Sequence, residues 1–225
     1  MKDGPDKFLW GPKQLTCLKR TLLSIHATLK PLISPTPMVG PNDARKRDNH
    51  TSMKGFQHVG PQFFKWILSH GLHQKGFFTL CGNRHWQSHA KHSLGIEEFS
   101  CGALVDSNSR LGRKPGDPKS TDPKSTDPKS TDPKSTDPNA TIRQLYTQKR
   151  TSGGFLRVVI VSDGKAGLEF YDEHAEQLYQ TVKDPSMQLG SLKTRDHGLL
   201  SEYDTDQFPR CNFGTQQLGT KPNVK

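Results

Sequence analysis

Between Asp117 and Thr136 the chain repeats Asp-Pro-Lys-Ser-Thr four times without a change, and a degraded fifth copy, Asp137-Pro138-Asn139-Ala140-Thr141, follows. A five-residue period matches neither the 3.6 of a helix nor the 2 of a strand, so no apolar face can be assembled from it. Proline in every copy removes an amide donor and pushes the aspartate before it away from helical geometry. Each perfect unit carries one Asp and one Lys, so the tract is locally neutral. The expected state is an extended, hydrated linker with polyproline II character. Any folded structure must therefore be built on either side of this tract.

Material for a core is scarce. Leu, Ile, Val and Phe together make up 47 of the 225 residues, close to the one-fifth level below which strongly charged chains stay disordered. Ordering each residue costs roughly 1–2 kcal/mol of backbone entropy, and burial of apolar surface is what offsets it. These considerations predict a largely disordered chain with isolated α-helices, one small strand–turn–helix unit and no single large core. The predicted organisation is a basic disordered arm over 1–57 with an amphipathic helix over 12–30, and a His- and aromatic-rich basic segment over 58–104. A disordered linker over 105–141, a strand–turn–helix unit over 142–185 and a disordered tail over 186–225 follow.

The local signals are these. Pro12 suits a first helical turn, and Leu15, Leu18, Leu22, Ile25 and Leu29 recur at steps of three and four up to Pro31. Prolines at 31, 35, 37 and 41 predict a loop over 31–57. Pro61 opens a second helix with Phe63, Phe64, Ile67 and Leu68 on one face and Gly71 at its end. Phe77 to Cys81 reads as a short strand before a Gly82-Asn83 turn, and 84–94 as a third helix. Phe155 to Val161 is a strong β run between Gly153-Gly154 and Ser162-Asp163-Gly164. Leu168, Tyr171, Ala175, Leu178 and Val182 then follow a helical seam that predicts a helix over 168–183.

Charge is unevenly placed. Residues 1–96 hold 14 Lys/Arg against 4 Asp/Glu, and 8 of the 10 His. The whole net charge of +10 therefore belongs to this block, which long-range electrostatics attract to phosphate backbones or acidic protein surfaces. Candidate contacts are the basic run Arg45-Lys46-Arg47 and the pairs Lys65-Trp66 and Arg84-Trp86, in which an aromatic ring beside a cation could stack on an unpaired base.

The same block suggests a metal. His70, His73, Cys81, His85, His89, His92 and Cys101 are zinc ligand types crowded together, and on a helix over 84–94 His85 and His89 would lie one turn apart. With Cys81 and Cys101 folded back they make a four-ligand candidate, although no CxxC pair or known finger spacing is present. Zinc is the one cofactor the sequence raises.

Catalytic motifs are absent. The turn Asp163-Gly164-Lys165 needs only turn chemistry, and carboxylates follow it where a phosphate loop would place its anion. No Gly-x-Ser-x-Gly, no HExxH and no Cys-to-His spacing stands out, so the chain is expected not to be an enzyme. The N-terminus lacks a secretory signal's apolar run, and no stretch reaches the ~20 apolar residues of a membrane span. Scattered cysteines are expected as free thiols in a reducing compartment, nucleus or cytoplasm, with mitochondrial targeting by the first helix as a second address. Three functional readings follow: a disordered interaction module for nucleic acid or acidic partners, a young or incidental open reading frame with no selected biochemical function, and a small zinc-binding module.

Overall fold

The computed structural model describes residues 4–40, 50, 56, 58–111 and 142–185. The repeat tract, the tail over 186–225 and Arg45-Lys46-Arg47 lie outside the described residues. Two α-helices and eight strands are present among the described residues: α1 (Pro12–Ser24), β1 (Lys30–Ser34), α2 (Val59–Ser69), β2 (Phe77–Cys81), β3 (Gln87–His92), β4 (Glu97–Cys101), β5 (Ile142–Thr147), β6 (Gly154–Ile160), β7 (Ala166–Asp172) and β8 (Gln177–Lys183).

The strands form two sheets. A mixed five-stranded sheet runs in the order β1-β2-β4-β3-β5, and β6-β7-β8 make a three-stranded antiparallel meander. In the larger sheet β1, β2 and β4 are parallel neighbours, whereas β3 runs antiparallel to both β4 and β5. Adjacent side chains on a strand point to opposite faces, and β2 shows what this achieves. Phe77 joins Leu22 of α1 and Phe63, Phe64 and Ile67 of α2 on one face, together with Ala90 and Ile142. Phe78 joins Phe99 and, from β7, Ala166, Leu168 and Phe170 on the other. The order of layers is helices, mixed sheet, antiparallel sheet.

This architecture overturns the expectation of a largely disordered chain without a core. The apolar count misled for two reasons. Long polar tracts dilute the average, while Phe63, Phe77, Phe78, Phe99 and Phe170 are all buried, and each aromatic ring carries roughly 150–250 Å² of surface. The interior also uses polar residues that a hydrophobicity count ignores. Thr79, Gln87, Ser88, His89, Glu97, Glu98 and Ser100 are buried in the central strands, and hydrogen bonds make such burial tolerable.

Three predicted helices need correction. The first stops at Ser24, and the segment after it becomes β1, an edge strand in which Pro31 is permitted because one side needs no amide. The range 84–94 is not helical: Gln87 to His92 form β3, flanked on both sides by other strands. The predicted helix over 168–183 is the hairpin β7–β8. Its leading half alternates strictly, with Ala166, Leu168, Phe170 and Asp172 buried, a period of two that a helical wheel conceals. Asp172 accepts from the N–H groups of His174 and Glu176, both at 2.9 Å, closing a turn in which Ala175 adopts φ +63°. Strands β4 and β5 carry no clear sequence signal and were not expected.

Helix α2 ends where Gly71 takes φ +63°, and Gly76 before β2 has φ +71°. A Cβ on Gly76 would lie 2.0 Å from the Thr28 carbonyl oxygen, so this crossing of two chains requires glycine.

Candidate nucleic-acid interface

Apolar residues turn one side of each helix toward the sheet and leave the cations outside. In the described residues 4–40 and 58–75, which contain both helices, seven Lys/Arg stand against one acid, Asp6. Lys13 and Lys65 are exposed, and Lys19 is half-buried. The Lys19 Nζ lies 5.2 Å from the centre of the Trp66 ring, within cation–π range. Trp66 in turn stacks on Phe63 with centroids 6.0 Å apart and meets the His70 ring at 4.6 Å. His70 Nδ1 donates to the Trp66 carbonyl at 2.8 Å. A second cation–π pair, Lys7 over Phe56 at 4.5 Å, belongs to the same layer. Aromatic rings with cations beside them, on a layer of nearly uniform charge, are the parts a single-stranded polyanion site needs.

Of the candidate contacts read from the sequence, Lys65 and Trp66 lie on α2; Lys19 and His70, which were not among the nucleic-acid candidates, stand beside Trp66. Lys19 stands on the polar side of the first helix in the sequence, but only the packing of α1 beside α2 brings it to Trp66. The pair Arg84-Trp86 is placed differently. Both residues are buried, with the guanidinium 5.2 Å from the indole centre, so their ring and charge face the interior.

The four proposed zinc ligands stand on different segments: Cys81 ends β2, His85 lies in the bend before β3, His89 is within β3 and Cys101 ends β4. His85 donates its Nδ1 proton to the Asn108 carbonyl at 2.6 Å. His89 is occupied within the sheets. Its Nε2 is 3.3 Å from Glu97 Oε2, its Nδ1 is 3.1 Å from the Tyr179 hydroxyl, and its ring stacks on Phe99 at 4.2 Å. Cys101 donates to the Cys81 carbonyl at 3.4 Å. Burial raises both thiols, and the Glu98 charge adds to the effect at Cys81, which opposes the thiolate form a metal takes. Among the described residues no group of three or more His, Cys, Asp or Glu is placed to hold a metal ion. Cys81 and Cys101 are free thiols.

The densest ionic cluster was not anticipated. Glu97 of β4 receives Lys91 at 2.9 Å from β3, His89 from the same strand, and Lys183 at 3.2 Å from β8. Burial pushes the Glu97 carboxyl up, but hydrogen bonds from His89 and Lys91 and the Lys183 charge overcome it and hold the group well below the usual carboxylate range. Because Lys183 comes from the second sheet, this cluster ties the two sheets together. Beside it Tyr146 and Tyr179 stack at 4.5 Å, and burial pushes the Tyr146 hydroxyl up to about 12.

No helix among the described residues is long and apolar enough to cross a membrane. No protein-family model and no curated protein matches the chain.

Proposed function

We propose that this chain is a polyanion-binding module that contacts single-stranded nucleic acid through its helical layer. The observation that carries the reading is the group Lys19, Lys65, Trp66 and His70, set in segments 4–40 and 58–75 that carry seven Lys/Arg against one acid. The cations supply a sequence-independent attraction to phosphates. Trp66 supplies a half-exposed ring on which a base can stack, a contact worth roughly 1–3 kcal/mol where measured by truncation. Among the described residues of these segments Asp6 is the single carboxylate, so an approaching phosphate meets more attraction than repulsion. The function is that of a binding surface and requires no catalytic constellation.

The test is fluorescence anisotropy with a labelled 16-nucleotide single strand and the full chain. Binding should weaken by at least about tenfold between 50 and 200 mM salt, as counterion release at several phosphates requires. The double substitution Lys13→Glu with Lys65→Glu, at exposed positions outside the core, should weaken it further and flatten the salt slope. Binding that ignores salt, or no binding at the lower salt concentration, would overturn the proposal.

A further inference from the structure

We propose that β6 is a self-association edge, pairing antiparallel with β6 of a second copy to make a continuous six-stranded sheet. Strand β6 bonds to β7 on one side, and on the other no strand pairs with it among the described residues. Its side chains are unusual for such a place. Leu156, Val158 and Ile160 alternate toward the interior face, opposite the buried Phe170, Leu168 and Ala166 of β7. Yet Val158 is 40% and Ile160 62% exposed.

An open strand edge is a template for another chain unless it is blunted by charge, proline or shortness. The other edges among the described residues carry such devices. Strand β1 has Lys30 and Pro31, β5 has Arg143, and β8 has Lys183 turned toward Glu97 amid Gln177 and Gln180. The seven-residue β6 has one charge, Arg157, and that charge is bridged to Glu169 of its own sheet at 3.2 Å.

The occupant is a second copy because the strand is complementary to itself. A two-fold axis at Val158 sets Leu156 opposite Ile160, Arg157 opposite Val159 and Phe155 opposite Val161. Leu156, Val158, Ile160 and Phe155 each meet an apolar side chain, Val159 faces the aliphatic stem of Arg157, and no two like charges fall directly opposite. Because residue i meets j and j meets i, the contact closes as a dimer and does not propagate.

Sedimentation velocity on the full chain, from about 1 to 100 µM, should show a reversible monomer–dimer equilibrium. Val158→Lys with Ile160→Lys should raise the dimer dissociation constant at least tenfold, with circular dichroism unchanged and the thermal midpoint unchanged at monomeric concentrations. Ile33→Lys, at an exposed position of the β1 edge, should leave it unaltered. Should the β6 variant fail to fold, hydrogen exchange of the unaltered chain gives the same information: β6 amides must exchange more slowly at dimer-forming than at monomeric concentrations. A monomer throughout the range, dissociation by Ile33→Lys, open-ended polymers, or β6 exchange independent of concentration would each overturn the proposal.

Discussion

The carboxylate of Glu98 lies 2.9 Å from the backbone N–H of Val39, joining the middle of the mixed sheet to the strap that leaves β1. The same group accepts from Met38 at 2.5 Å, and Gly40 approaches its other oxygen at 3.4 Å. Three successive amides thus converge on one buried carboxylate, with the Thr79 hydroxyl 3.5 Å away. Glu98→Gln keeps the shape but turns an amide donor toward these donors. Loss of charge-assisted bonds and an unsatisfied buried group should together cost at least about 2 kcal/mol. Urea denaturation reads this directly, and an unchanged midpoint would show that the strap is held by something else.

Glu97 makes a prediction about acid. Its folded carboxyl titrates below the unfolded value, which for Glu is about 4.3. The stabilisation is therefore fully present above that value and is lost as pH falls through the depressed folded value. Lys183→Met removes the partner contributed by β8 while Lys91 and His89 remain. The variant should be less stable than the parent at pH 7, by about 1–2 kcal/mol for a partly buried pair. The gap should persist through the ordinary carboxylate range and narrow only in stronger acid, as pH falls through the depressed folded value. Denaturant curves from pH 7 into strong acid check this, and a gap that does not narrow even there would mean that Lys183 acts by packing and not by charge.

His50 titrates in the opposite charge sense with the same dependence on pH. Burial lowers its ring to about 4, where it packs against Trp10 at 4.6 Å. The unfolded ring, near 6.5, binds a proton that the folded ring refuses, so stability falls as pH drops from about 6.5 toward 4. The range of that loss is at most about 3 kcal/mol by linkage. His50→Phe keeps an aromatic ring in place and should flatten the stability profile between pH 6.5 and 4. Thermal midpoints across that range test it, and a variant with the parent's slope would assign the effect to other groups.

How much of this was legible in the sequence depended on which interaction decided each segment. The strands at 77–81 and 154–160 and the helix beginning near Pro61 were readable because β-branched or aromatic runs and a proline start are local signals. Strand β3 was not. Gln87, Ser88 and His89 have no β preference to speak of, and they are extended because β4 and β5 flank them and because buried partners, such as the Gln148 Oε1 at 3.0 Å from the Gln87 backbone N–H, satisfy them. The segment over 168–183 fitted two periods at once. Phe170, which a helical seam leaves on the polar side, was the residue that favoured the strand. At the candidate interface Trp66 and Lys65 were visible as a local pair, whereas the approach of Lys19 is a product of helix packing. Nothing in the spacing of Lys91, Glu97 and Lys183 could have announced that three strands bring them together.

The neighbouring phenylalanines of β2 have an effect on how mistakes are punished. A strand displaced by one position ordinarily presents its oily side to water, but Phe77 and Phe78 would each find a greasy layer whichever way the ribbon faced. Alignment must then be policed further along, where inversion would drive Leu80 into the seat of the Thr79 hydroxyl and part that hydroxyl from the Glu97 carbonyl it reaches at 3.2 Å. In this strand the rings supply adhesion, and a single alcohol tells the chain which way round it lies.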